Sequence, residues 1–183
     1  GAMTTTRDLV LMGLFAAVMA ALGLLPKVSL GIGVPITAQS MGVMLAGAIL
    51  GSKRGAGALA IFTVLVALGL PLLAGGRGGL GLFAGPTGGF ILGYVLGAYL
   101  TGLAAEKLPI RADFPRFVVA SLIGGIGGVY LLGVPHWVLI TDSSLAQVLL
   151  MSLNFMPGDL IKVGIASLVA TAVYRGYPVI RRT

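Results

Sequence analysis

Pro157-Gly158-Asp159-Leu160-Ile161-Lys162 places two opposite charges at the head of a run, Val163 to Tyr174, that carries none. Asp159 and Lys162 are three residues apart, so a helix brings them onto one face, about one turn from each other. A charge well inside a bilayer costs roughly 2.5–3.5 kcal/mol on insertion scales, so such side chains face a partner or a cavity. Pro157 suits the first helical position, which puts Asp159 in the first turn, where the helix dipole favours a negative charge. Lys162 then lies roughly 4.5 Å further along the axis. The pattern predicts that the remainder of the chain builds a cavity around this pair.

Composition supports a membrane setting. Of 183 residues, 57% are hydrophobic and 9% charged, and the mean hydropathy is +1.07. Soluble domains carry about 25% charged residues, so most of this surface must face lipid. Thirty glycines suit closely packed membrane helices and irregular loops. The absence of cysteine excludes disulfides, thiolate metal sites and thiol nucleophiles. A net charge of +7 does not point to nucleic acid, because the basic residues sit in small groups between apolar runs. Gly1-Ala2 before Met3 reads as a remnant of tag cleavage outside the fold, and the first apolar run lacks the pattern of a cleaved signal peptide.

Six apolar runs are near the roughly 17–25 residues of a spanning helix, and predict an all-α integral membrane protein with one six-helix domain over residues 3–183. The predicted spans are 9–25, 38–50, 56–73, 89–105, 117–132 and 157–174. If the N-terminus is cytoplasmic, the inner side carries Arg7, Lys53, Arg54, Lys107, Arg111, Arg116, Arg175, Arg181 and Arg182, and the outer side only Lys27 and Arg77. That asymmetry predicts a multi-pass protein with both termini cytoplasmic. It also puts Asp159 and Lys162 towards the outer face. The inner connections are short and charged. The outer ones (26–37, 74–88 and 133–156) are longer, apolar and rich in turn residues, and are expected to cover the cavity as lid and walls. In the last, Asp142 or Ser144 is placed to cap a short helix beside an interfacial Trp137. His136 reads as interfacial too, since no second ligand sits at metal-binding spacing.

The chemistry of enzymes is missing from the sequence. Gly76-Arg77-Gly78-Gly79-Leu80-Gly81 matches G-x-G-x-x-G but lacks the preceding strand and crossover unit that make it a nucleotide site. There is no Walker A, G-x-S-x-G or HExxH sequence, and only five acidic residues. The reading is a non-enzyme, with no cofactor and no metal.

Small residues recur at spacing four. Gly89, Gly93 and Gly97 predict a close-packed face on the fourth helix, as do Gly124 and Gly128 on the fifth. Ala16, Ala17, Ala20 and Ala21 give the first helix a surface suited equally to internal packing or to docking another membrane protein. Thr37, Gln39, Thr87 and Asn154 stand at the ends of the outer connections, where each needs a partner in the loop backbone or in a ligand. Phe83, Phe90 and Tyr94 add aromatic surface near the same level. One acid, one base, a few amides and hydroxyls and aromatic walls suit a small, partly apolar ligand.

Three stretches carry a resemblance. Val34-Pro35-Ile36-Thr37-Ala38-Gln39, Gly85-Pro86-Thr87-Gly88-Gly89-Phe90 and Pro157 to Lys162 are similar, in order and spacing, to the signature stretches of the BioY family. These are the biotin-binding S components of energy-coupling factor (ECF) transporters. The resemblance covers essentially the whole chain. It implies a membrane subunit of a prokaryotic cell that captures biotin from outside and delivers it inward with a transmembrane coupling protein and two ATPases. It implies ligand contacts at Asp159 and Lys162, contact of Ala16 and Ala20, with Ala17 and Ala21, with the coupling protein, and outer loops that close over the ligand. Where relatives place a further polar or basic contact around the fourth helix, this chain has Phe90 and Tyr94. Two alternatives remain at this point. One is a stand-alone secondary transporter of a small carboxylate or another vitamin, with Asp159 as its proton or ion site, although no inverted repeat is visible. The other is an interaction protein whose charge pair is a structural salt bridge.

Overall fold

The computed structural model describes residues 5–29, 31 and 33–180. Gly1-Ala2, read above as a tag remnant, and Arg181 and Arg182, counted above with the inner-side charges, lie outside them. The protein is a multi-pass, all-helical membrane fold of six helical rods. These are α1 (Thr6–Leu22), α2 (Ser40–Leu50), α3 (Ser52–Ala67), α4 (Gly88–Lys107), and a rod in which α5 (Asp113–Ser121), a π-helical turn (Leu122–Gly128) and α6 (Val129–Thr141) run on without a break. The last rod joins α7 (Leu145–Ser152), a 3-10 turn (Leu153–Phe155) and α8 (Met156–Gly176).

Length and composition alone make three of these able to cross a membrane: Gly88–Lys107, Asp113–Thr141 and Leu145–Gly176. The other three have 17, 11 and 16 residues. Helix α2 tolerates its shortness because it is enclosed, with every residue from Gly42 to Leu50 buried among α3, α4 and α8.

Several predicted boundaries move, each for a physical reason. Helix α1 begins earlier, at Thr6, because Thr5 caps it. The Thr5 hydroxyl accepts from the Asp8 N–H at 3.2 Å and the Asp8 carboxylate accepts from the Thr5 N–H. Helix α3 starts at Ser52, taking Lys53 and Arg54 into the helix, because Glu106 of α4 accepts from the Ser52 N–H at 2.7 Å and caps it from a neighbouring rod. The fifth span continues to Thr141, past the expected end at Leu132, with Pro135 inside the helix. Membrane helices accommodate such a proline where neighbouring helices satisfy the freed backbone groups. Asp142, at φ 52°, ends this rod in the left-handed region, and Ser144 is the residue that caps α7.

The predicted glycine faces meet each other. A Cβ at Gly93 would sit 2.6 Å from the Val129 carbonyl, and one at Gly97 would sit 2.7 Å from the Gly124 carbonyl. Helix α4 therefore lies against the π-helical turn and α6 almost backbone to backbone. That leaves the core to large side chains such as Phe62, Phe117, Trp137 and Met44.

The two ends of the bundle differ. One gathers the α1 start, the α2–α3 junction, the α4–α5 connection and the end of α8, with Arg7, Lys53, Arg54, Lys107, Arg111 and Arg175 among its residues. Arg54 is its tie: it pairs with Asp8 at 3.3 Å and donates to the carbonyls of Leu50 and Val179. Arg116, counted above among the inner-side charges, is fully buried. It pairs with Asp113 at 3.0 Å, donates to the Ala105, Ile110 and Arg111 carbonyls, and packs against the rings of Phe117 and Tyr174. The other end carries the irregular connections and the charge pair of α8.

Candidate functional site

At the loop end lies a partly open cavity. Asp159 and Lys162 form its polar corner. Met156 and Pro157 open α8, so Asp159 falls in its first turn and Lys162 one turn on. Lys162 Nζ donates to Asp159 Oδ1 at 3.2 Å and to the Ser40 hydroxyl, at the start of α2, at 2.9 Å. The Tyr130 hydroxyl of α6 donates to Asp159 Oδ2. Three rods thus converge on the Asp159–Lys162 pair, and Asp159 is only 5% exposed.

Arg77 also lines the cavity. Its loop turns tightly, with Gly75, Gly76 and Gly79 at positive φ and an isolated antiparallel bridge between Leu73 and Arg77. A side chain at Gly78 would collide with the carbonyl of Leu70. The G-x-G-x-x-G stretch is thus a close-packed turn that holds an arginine. Arg77 Nε donates to the Ala74 carbonyl at 2.9 Å and Nη1 to the Thr87 hydroxyl at 3.4 Å. Among the described residues no carboxylate pairs with it. Partial burial lowers its pKa, the sign expected of a cation withdrawn from water without an acid beside it. The charged groups lining the cavity are then Arg77, Lys162 and Asp159, an excess of one positive charge.

The walls are aromatic and apolar. Phe90 meets Tyr130 edge-on, with centroids 5.6 Å apart, and meets Trp137 at 6.0 Å; Trp137 in turn meets Phe155 at 6.2 Å. Trp137 is fully buried in this stack, so it is a core residue and not the interfacial one expected. Val34 and Pro35 cover the cavity from the first connection, which an antiparallel bridge between Val28 and Ile36 folds back on itself. His136 is half-buried, and its Nε2 lies 2.9 Å from the Gly85 carbonyl, bracing the second connection.

Of the residues singled out in the sequence, Asp159, Lys162, Thr37, Gln39, Thr87, Phe90 and Tyr94 line this one cavity. Gln39 does so with its amide already spent. Nε2 donates to the carbonyls of Met19 at 2.8 Å and Leu72 at 3.0 Å, and Oε1 accepts from the Ala74 N–H at 3.0 Å. Its role is to tie α1 to the Arg77 loop. Phe83 and Asn154 do not line the cavity. Phe83 packs partly buried in the 3-10 turn Leu80–Ala84, and Asn154 is exposed, its amide donating to the Met151 carbonyl at 2.9 Å. Of the four alanines on α1, Ala16 is buried and Ala20 half-buried, whereas Ala17 and Ala21 are exposed. The sequence reading missed Arg77, Tyr130, Ser40 and Phe155 as lining residues. Arg77 stood in the sequence only as an outer-side charge in a glycine-rich loop; Tyr130 had no signal, because helical spacing turns it away from the glycine face. Among the described residues no group of three or more His, Asp or Glu side chains is placed to hold a metal ion.

Comparison with known proteins follows this geometry. The sequence model of the BioY family matches residues 2–179. The biotin transporter BioY of Rhizobium etli is 48% identical over 182 residues, covering 96% of this chain and 97% of the relative. That of Rhodobacter capsulatus is 46% identical over 94% of this chain and 95% of its own. Among solved structures, the 2.1 Å crystal structure of the S-component for biotin from an ECF-type ABC transporter superposes with a TM-score of 0.88 at 32% identity, covering 95% of each chain.

Proposed function

The chain belongs to the BioY family, and from that premise we propose that it is the biotin-binding S component of an ECF transporter, a transport subunit and not an enzyme. The observation that carries the reading is the lining of the cavity: an acid–base pair, an arginine with no carboxylate partner among the described residues, and aromatic side chains. Biotin is complementary to all three. Its ureido ring offers N–H donors and a carbonyl to Asp159 and Lys162, its bicyclic body lies along Phe90, Tyr94 and Phe155, and its carboxylate meets Arg77. Thr87 steadies Arg77 and Thr37 stands beside Tyr94.

The cation-rich end faces the cytoplasm in this reading, by the positive-inside rule, which puts the cavity on the outer side and both termini inside. Val34, Pro35 and the Arg77 loop then form the cover over the ligand. The resemblance supplies the partners, a transmembrane coupling protein and two ATPases. On α1 the exposed small residues at spacing four are Gly13, Ala17 and Ala21. The docking strip is built from these, with Ala20 at its edge and Ala16 beneath it.

Calorimetry of the detergent-purified protein with biotin, thiamine and riboflavin tests the reading. Submicromolar binding of biotin alone is expected. Absence of a biotin signal, or an equal response to the other vitamins, contradicts it.

A further inference from the structure

Gly125, Val129 and Tyr130 all line the cavity. In an uninterrupted α-helix, residues five apart point about 140° away from each other, so Gly125 and Tyr130 would not share a face. Between them the rod is π-helical, and the Val129 N–H reaches the Gly124 carbonyl five residues back. The wider turn brings the fifth residue back over the first, and Tyr130 swings into the cavity. Edge contact with Phe90 then fixes its ring, and its hydroxyl donates to Asp159 Oδ2.

The hydrogen-bond inventory around Asp159 gives that contact a purpose. A carboxylate offers about four acceptor sites and an ammonium three donors. Tyr130 holds Oδ2, Lys162 holds Oδ1, and Ser40 takes a second Lys162 proton. What remains to face a ligand is acceptor capacity on Asp159 and one N–H on Lys162. Among the described residues Tyr130 is the sole donor to Oδ2.

We infer that Tyr130, carried into the cavity by the π-helical turn Leu122–Gly128, is a positioning residue that fixes Asp159 as the acceptor of a ligand N–H. The inference rests on the biotin reading above, and takes the accepted group to be a ureido N–H. Tyr130 acts through Asp159, so its loss is felt only by ligands that use that acceptor.

The test is calorimetry of the wild-type protein and Tyr130→Phe with biotin and with each of the two mono-N-methyl ureido derivatives, alongside thermal unfolding of both proteins. Tyr130→Phe is expected to weaken biotin about tenfold to a hundredfold, the loss of a hydrogen bond to a charged group. The derivative whose methyl replaces the accepted hydrogen is expected to bind both proteins alike. Unchanged biotin affinity in Tyr130→Phe, or an equal loss for all three ligands, overturns the inference while leaving the biotin reading intact. Failure of the wild-type protein to bind biotin overturns both.

Discussion

Asp159 and Gln39 are both buried polar residues of the cavity lining, yet they do different work. Gln39 has spent its amide on three backbone groups, whereas Asp159 keeps acceptor capacity beside its two donors. Replacing Gln39 by Ala strands two carbonyls and one N–H, so it should lower stability by about 3 kcal/mol. Thermal unfolding in detergent checks this; an unchanged midpoint would show that the amide is dispensable. Asp159→Asn and Lys162→Met should instead weaken biotin by roughly 2–5 kcal/mol in calorimetry, as expected on breaking a buried charged contact. Unchanged affinity in both would remove the pair from the ligand site. The sequence alone showed the importance of Asp159 and Lys162, because charge in an apolar helix is costly wherever it occurs. It could not show that Gln39 is spent, since an amide needs partners whether backbone or ligand provides them. Arg77 was misread as an ordinary outer charge because a loop's path, unlike a helix's periodicity, leaves no pattern in the residue order.

At the level of elements, the glycines separate into those that hold two backbones together and those that face open space. A Cβ at Gly124 would collide with the Thr101 hydroxyl and the Gly97 carbonyl, whereas one at Gly164 of α8 would meet nothing within 4 Å. Gly124→Ala should therefore destabilise the fold by about 1–3 kcal/mol through overpacking. Gly164→Ala should be neutral or stabilise by up to about 1 kcal/mol through helix propensity. Paired unfolding midpoints that fail to separate would contradict the close approach of α4 to the π-helical turn. The spacing-four glycines announced these packed faces from sequence. The π-helical turn went unread, and so did the run of the fifth rod to Thr141. Gly124, Gly125, Gly127 and Gly128 permit several backbone geometries, and Pro135 is a stop signal only where no neighbouring helix compensates. The caps on α1 and α3 show the same divide. Thr5 lies next to its helix in sequence, whereas Glu106 caps α3 from 54 residues away.

Across the whole molecule, the charge asymmetry between the two ends gives an orientation that can be checked directly. The chain has no cysteine, so Lys27→Cys and Lys107→Cys each offer a single thiol. A membrane-impermeant maleimide applied to intact cells should label the first and not the second; the reverse would invert the topology. Six helical rods and a polar site at one end were legible from hydropathy, because the bilayer constrains length and charge more tightly than water does. The presence of Arg77 in the cavity was not, because it depends on a glycine turn that brings Arg77 to a site shared with Asp159, 82 residues later in the chain. The proposed contact of the biotin carboxylate with Arg77 is open to one cross-titration: wild-type protein and Arg77→Gln, each with biotin and with its primary amide, which lacks the carboxylate. Loss of biotin affinity in Arg77→Gln, with the amide bound alike by both proteins, is the predicted result. Equal losses for biotin and its amide, or biotin affinity unchanged by the substitution, would contradict the placement of the carboxylate at Arg77 and with it the assigned orientation of the ligand.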